Sequence, residues 1–236
     1  MNVFTSLSPH MFPLLAIVGY ILYPKQLRIS PRALYVSSII HNAGLVAFSG
    51  WTFVSLFNII YNNGIGPVFQ SNYYYQNKQF DTIIYLFYIS KYWEFFDTFL
   101  LYLNGKTPIF LQKYHHIGAV VVWHLHYIYK VDCVWIPTIA NSFVHTIMYS
   151  YYLGCLLKIN HLRFIKKYIT SLQLTQLIIP NFVCLYYYVP PIETQFNYHL
   201  IKLFVLYVSI LIILFSQFYY NNYIKNNNKN NNKNNN

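Results

Sequence analysis

Lys91, Glu94 and Asp97 stand at i, i+3 and i+6 in an otherwise apolar and aromatic run, FDTIIYLFYISKYWEFFDTFLLYL, with Thr98 directly after. On one helix this spacing places all four side chains on one side. The run is long enough to cross a bilayer, which takes roughly 20 residues. A charge at the bilayer centre costs about 2.5–3.5 kcal/mol on insertion scales. Three such residues on one stripe are therefore expected to face a protein interior and to pair with one another, which marks a candidate site.

The next apolar run opens on Gln112-Lys113-Tyr114-His115-His116. An imidazole near a carboxylate can serve as acid, base or nucleophile around neutral pH. Adjacent histidines also suggest the non-haem iron of membrane desaturases and hydroxylases. That chemistry uses several histidine boxes, whereas this chain has nine histidines in all, a single adjacent pair, and Gln at position 112. No metal is expected. A third polar face holds Asn141, His145, Met148, Tyr149 and Tyr152, which recur at helical spacing, and a fourth holds Thr170, Gln173 and Gln176. His41, Asn42, Ser49, Thr52 and Ser55 add a fifth stripe. Polar side chains want partners in lipid, and this is more polarity than helix–helix adhesion ordinarily needs. His124 and His126, beside Tyr127 and Tyr129, read as interfacial histidines. His10, His161 and His199 read as solvated span ends, and His41 as a core residue within reach of the site.

These stripes need elements to hold them, and the composition says which. The chain is 56 % apolar and 9 % charged, against about 25 % charged in a soluble domain. Apolar runs at about 8–24, 35–61, 80–103, 112–129, 133–157, 168–190 and 198–221 predict an all-α membrane protein with seven transmembrane helices. Residues 1–224 form one polytopic domain, since no soluble stretch is long enough for a core of its own. Residues 225–236 are an Asn/Lys-rich tail, polar, low in complexity and expected to be disordered. No cleavable leader is expected, because the N-terminus lacks a basic region.

The net charge of +11 reads as topology rather than as nucleic-acid binding. Lys25, Arg28, Arg32, Lys106, Lys113, Lys158, Arg163, Lys166, Lys167, Lys225, Lys229 and Lys233 lie in the first, third and fifth loops and the tail. Lys78, Lys130 and Lys202 belong to the other side. The positive-inside bias then puts the C-terminus in the cytosol and the N-terminus across the membrane, which an odd number of spans requires. Cys133, Cys155 and Cys184 are isolated, without metal spacing, and read as small packing residues.

Together these motifs resemble the ELO family of very-long-chain fatty acid elongases, the condensing enzymes of the endoplasmic reticulum. Lys91, Glu94, Asp97 and Thr98 match its KxxExxDT signature. His115 and His116 match the HxxHH box, with Gln112 in place of the first histidine. Asn141, His145, Met148, Tyr149, Tyr151 and Tyr152 match NxxxHxxMYxYY, and Thr170, Gln173 and Gln176 match TxxQxxQ. The four motifs come in the family's order within residues 10–222.

The resemblance implies seven helices, six of them in a barrel around a narrow acyl tunnel. It implies condensation of a long-chain acyl-CoA with malonyl-CoA to 3-oxoacyl-CoA, CO2 and CoA, in the endoplasmic reticulum membrane with the N-terminus lumenal. His115 and His145 become the expected acyl-transfer and carbanion-handling groups, with His116 beside them; which does which stays open. Glu94 and Asp97 would orient the imidazoles and balance Lys91. Gln112, Asn141, Met148, Tyr149, Tyr152, Gln173, Gln176 and Thr98 are the expected substrate-binding groups. Gln112 can keep a hydrogen-bond role, since an amide donates and accepts. No cofactor is expected beyond the two CoA substrates. Expected partners are membrane lipid, the reductases and dehydratase of the elongation cycle, and a second copy in a homodimer. Two other readings stand beside this one. An iron desaturase or hydroxylase would contain stoichiometric metal. A seven-helix receptor or carrier would leave the facing histidines and KxxExxD stripe without a purpose.

Overall fold

The computed structural model of the chain describes residues 3–23, 27–64, 73–159, 162–188 and 195–225. All regular structure among them is helical. The helices are α1 (Val3–Leu22), α2 (Pro31–Asn63), α3 (Lys78–Trp93), α4 (Phe95–Leu103), α5 (Phe110–Ile128), α6 (Trp135–Leu156), α7 (Lys166–Tyr188) and α8 (Gln195–Tyr219), the last running on into a wider turn at Tyr220–Ile224. The disordered tail expected at 225–236 falls, past its first residue, outside the described residues.

Local chemistry sets the boundaries. Pro31 opens α2 behind Ser30, whose hydroxyl accepts the Ala33 N–H at 3.2 Å. Asn77 caps α3 by accepting from the N–H groups of Gln79 and Phe80. Three helices end on the same motif, with a left-handed residue one past the cap: Gly105 after α4, Lys130 after α5 and Lys158 after α6. In each, the next N–H reaches back five residues, as Lys106 does to the Leu101 carbonyl at 2.9 Å. These endings keep the connections α4–α5 and α5–α6 short. Lys130 is held by an ion pair to Asp81 and lies over the Tyr127 ring, 3.9 Å from its centroid.

The polar run at 80–103 is two helices, not one. At Glu94 the helix tightens: the Asp97 N–H bonds to the Glu94 carbonyl, three residues back, at 3.1 Å. This places the break between α3 and α4 within the stripe, with Lys91 on α3 and Asp97 on α4.

α2 packs most extensively on α6, α6 on α7, α7 on α8, α8 on α5, α5 on α3, and α3 touches α2; α1 lies against α5. The largest core cluster joins Phe80, Ile84 and Phe87 of α3 with Trp123 of α5, Cys184 of α7, and Ile201, Phe204 and Leu211 of α8. Leu45, Met148, Tyr149 and Ile169 close the α2–α6–α7 side. Gly44 admits the Trp93 ring where α2 meets α3; a Cβ there would sit 2.5 Å from it.

Among the described residues, three helical segments are long and apolar enough to cross a membrane: Pro31–Asn63, Lys166–Leu185 and Asn197–Ile224. The remaining helices are shorter or carry the charged and imidazole side chains.

Candidate active site

α2, α4, α5, α6, α7 and α8 enclose a cavity of about 600 Å³. Its wall brings together Glu94, Asp97, Gln112, His115, His116, His145, Met148, Tyr149, Tyr152, Gln173 and Gln176, all singled out by spacing. Ser38 and Asn42 line it from α2. Beyond His115, a small space of about 30 Å³ continues between Trp123, Asn141, Gln176, Phe204 and Tyr207. His115 borders both.

The charged residues form two groups rather than one cluster. In the first, Lys91 is 1 % exposed and donates to Glu94 Oε1 at 2.6 Å and to Asn141 Oδ1 at 3.0 Å. Glu94 Oε1 in turn lies 3.5 Å from His145 Nδ1, and Asn141 Nδ2 lies 3.0 Å from His145 Nε2. An ammonium can only donate, so the Asn141 oxygen must face Lys91 and its NH₂ must face His145. His145 Nε2 is therefore the acceptor. The neutral ring carries its proton on Nδ1, toward Glu94. Lys91, Glu94, His145 and Asn141 make a closed ring of polar contacts in which each side chain fixes the next.

In the second group, Asp97 accepts from Tyr149 OH at 2.6 Å and pairs with His41 Nε2 at 2.8 Å. The expectation that Asp97 pairs with Lys91 and Glu94 is corrected here: Asn141 and His145 take up Lys91 and Glu94, and Asp97 meets α2 and α6 instead. Thr98 accepts from Gln112 Nε2 at 3.2 Å and bonds to Tyr20 OH at 2.9 Å. Gln112 thus has a hydrogen-bonded place, tying α5 to α4 and α1. Gln173 Nε2 reaches Met148 Sδ at 3.0 Å. Thr170 is turned from the cavity to the Lys166 carbonyl and Tyr223.

An imidazole nitrogen of His115, one of His145 and a carboxylate oxygen of Glu94 lie within 4.8 Å of one another. By number and type these donors could hold a divalent cation. The surroundings fit one poorly. Lys91 already neutralises Glu94, and its ammonium would face the incoming cation. The arrangement suits acyl and proton transfer better: an imidazole with an assigned proton beside two others, a paired carboxylate, and phenol and amide donors around one apolar space.

Three expectations are overturned. His124 and His126 are buried in protein rather than interfacial, because α1 and α8 cover that end of α5. His126 bonds through Nδ1 to the Val122 carbonyl at 2.8 Å and packs on Phe204. His10 is not merely solvated: its Nδ1 meets His124 Nε2 at 2.8 Å. Cys155 is exposed and lines the cavity one turn past Tyr152, unlike the buried Cys133 and Cys184. His199 is exposed, as expected, and His161 lies outside the described residues. Ser49 and Thr52 are buried on α2 without lining the cavity. Tyr207 is the contact that sequence spacing missed. The signal was Gly118, a glycine inside an apolar helix, where it costs about 1 kcal/mol against Ala and asks for a close neighbour.

A profile of the GNS1/SUR4 family, ELO, matches residues 6–231. The chain is 32 % identical over 239 residues to fatty acid elongase sre1 of Dictyostelium discoideum, covering 93 % of this chain and 86 % of that one. It is 37 % identical over 149 residues to fatty acid elongase 3 of Trypanosoma cruzi, covering 58 % and 48 %. It is 41 % identical over 95 residues to very long chain fatty acid elongase 6 of Drosophila melanogaster, covering 40 % and 30 %. The match spans most of the first relative, and about half or less of the other two.

Proposed function

This chain belongs to the GNS1/SUR4 (ELO) family, and on that premise we propose that it is a fatty acid elongase that condenses a long-chain acyl-CoA with malonyl-CoA. The products are 3-oxoacyl-CoA, CO2 and CoA. The observation that carries the proposal is the meeting of His115, His145 and Glu94 on one wall of an otherwise apolar cavity.

The acyl group passes first to an imidazole. The one lone pair of the His145 ring, on Nε2, accepts from Asn141, so it is not free to attack. His115 is the acyl acceptor. Its nitrogen attacks the thioester carbonyl, the C–S bond breaks, and CoA leaves. Malonyl-CoA then loses CO2, and its carbanion attacks the acyl carbon, releasing His115. One proton is taken up overall, to protonate the departing CoA thiolate. The Nδ1–H of His145 meets Glu94 only loosely, at 3.5 Å, and is shared with the negative charge developing on the malonyl thioester oxygen. Tyr152 and Gln176 offer further donors from the wall. Lys91 holds Glu94 in place through their ion pair, and His116 borders the same space. The reaction needs no cofactor, and its product calls for a ketone reductase as the next enzyme.

We further propose that seven spans cross the membrane and that α2, α3 with α4, α5, α6, α7 and α8 form a six-span barrel. The order of packing from α2 through α6, α7, α8, α5 and α3 back to α2 supports this. So does the inward placement of the polar residues that lower the average hydropathy of the other helices. The basic loops favour a cytosolic mouth: Lys106, Lys113, Lys166 and Lys167 would attract anionic CoA there, with the N-terminus in the lumen of the endoplasmic reticulum.

Expression in an elongase-deficient host, followed by fatty acid profiling, tests the proposal. Malonyl-CoA-dependent products two carbons longer than a supplied acid are expected. Membranes that lengthen none of a series of supplied acyl-CoAs would overturn it.

A further inference from the structure

We propose that Tyr207 on α8 is a positioning residue that sets the tautomer of His115, and that Gly118 exists to admit it. The inference rests on His115 being the acyl acceptor.

The Tyr207 hydroxyl lies 2.9 Å from the His115 main-chain carbonyl and 3.4 Å from His115 Nδ1. A phenol has one proton to give and can accept as well. The carbonyl has no proton and can only accept, and it is the nearer partner, so the phenol donates there. The oxygen of Tyr207 is then left to receive a proton from Nδ1. The neutral ring of His115 is thus held as the Nδ1–H form, with its lone pair on Nε2. With Nδ1 turned to Tyr207, Nε2 at the tip of the ring is the nitrogen offered to the cavity that His115 lines. The other tautomer would present an N–H where a nucleophile is needed.

The consequence continues after acyl transfer. Attack by Nε2 forms the N–acyl bond as the C–S bond breaks and CoA thiolate departs. Nδ1 still holds its proton, hydrogen-bonded to Tyr207. The product is an acylimidazolium, whose positive charge makes the acyl carbon a better target for the malonyl carbanion than a neutral acylimidazole. When the carbanion displaces it, His115 returns to the Nδ1–H form without moving a proton. Tyr207 touches neither reacting carbon; it acts through His115.

Gly118 makes the contact possible. It sits one turn after His115 on α5, and a Cβ there would lie 2.0 Å from Tyr207 Cε2 and 2.7 Å from two further ring atoms. Such a distance forces the ring away, and the hydroxyl with it. Tyr207 is well buried, tilted against Tyr114 with ring centroids 5.5 Å apart, so it has little freedom to shift and still reach His115.

The test is Tyr207→Phe in the full chain, in lipid nanodiscs, with Gly118→Ala as a second variant. Phe keeps the ring on Gly118 and removes the oxygen. In ¹⁵N-histidine-labelled wild type, the His115 signals, assigned by their loss in His115→Gln, are expected to show the Nδ1–H tautomer. In Tyr207→Phe they should shift toward Nε2–H. The kcat for condensation should fall roughly 10-fold or more, because the wrong tautomer has no lone pair at the attacking nitrogen, while KM for acyl-CoA stays unchanged. Gly118→Ala should share this signature, and if it does not fold Tyr207→Phe carries the test alone. An Nε2–H His115 in the wild type, or a Tyr207→Phe enzyme within about twofold of wild-type kcat, would overturn the positioning role. The spectrum needs no turnover. A wild type that neither releases CoA from acyl-CoA nor elongates it would instead count against the elongase reading, whatever the tautomer.

Discussion

Lys91 Nζ on α3 donates to Asn141 Oδ1 on α6 at 3.0 Å, and that one bond decides which way the Asn141 amide points. Everything after it in the ring follows: the NH₂ to His145 Nε2, the His145 proton to Nδ1, and Nδ1 to Glu94. A lysine buried among Phe87 and Trp123, with its Nζ 3.9 Å from the Phe87 centroid, thereby controls a histidine it does not touch.

Removing that lysine alone should be costly. Lys91→Met leaves Glu94 buried without its cation, and breaking one side of a buried pair costs about 3–5 kcal/mol. Lys91→Met/Glu94→Gln should recover part of that loss, because no uncompensated charge remains. Thermal unfolding of the two variants in detergent checks the order. A double variant less stable than Lys91→Met would contradict the pairing.

The two histidines should fail at different stages. His115→Ala is expected to release no CoA from acyl-CoA alone. His145→Ala should still take up the acyl group, yet lose condensation by about 10²–10⁴-fold, the range of a general acid–base or donor group. A CoA-release burst with acyl-CoA, followed by addition of malonyl-CoA, separates the steps. Full condensation in both variants would remove the assignment.

Asp97 is held by partners from two other helices, and its loss should be structural first. In Asp97→Ala the buried His41 and the Tyr149 hydroxyl lose their acceptor, at about 1–3 kcal/mol for a buried polar group left without a partner. Asp97→Asn keeps one acceptor and should cost less. Melting temperatures of the two variants should rank in that order.

Gln112→His should retain activity within about threefold, because an imidazole can still donate to Thr98 from the same turn. Thr98→Val should be worse than Gln112→His, since it strands both Gln112 and Tyr20. Initial rates on one acyl-CoA decide it, and an inactive Gln112→His would show that the amide itself is required.

The helices and the polar stripes were legible in the chain because both depend on local repetition. Apolar runs of membrane length bounded by Pro31, Gly64 or Gly105 give helices whatever lies beside them. The spacing of Asn141, His145 and Tyr149 puts them on one face by helix geometry alone. Charge in a membrane helix must turn inward, so Lys91 and Glu94 could be read as an interior pair from residues three apart.

What remained was decided by contacts between segments far apart in the chain. Asp97 has the same spacing from Glu94 that Glu94 has from Lys91, yet it answers to His41 and Tyr149, over 50 residues away on either side. His126 reads as interfacial beside Tyr127, but α8 lays Phe204 over it. Cys155 reads as a packing residue along the chain, but in the fold it lines the cavity past Tyr152. Tyr207 is one of 26 tyrosines in the chain, and only its seat on Gly118 gives it a part at His115. Periodicity tells a side chain which way to point along its own helix. The partner it meets is set by how that helix is rotated and crossed against the others, a sum of many weak packing terms that no single segment contains.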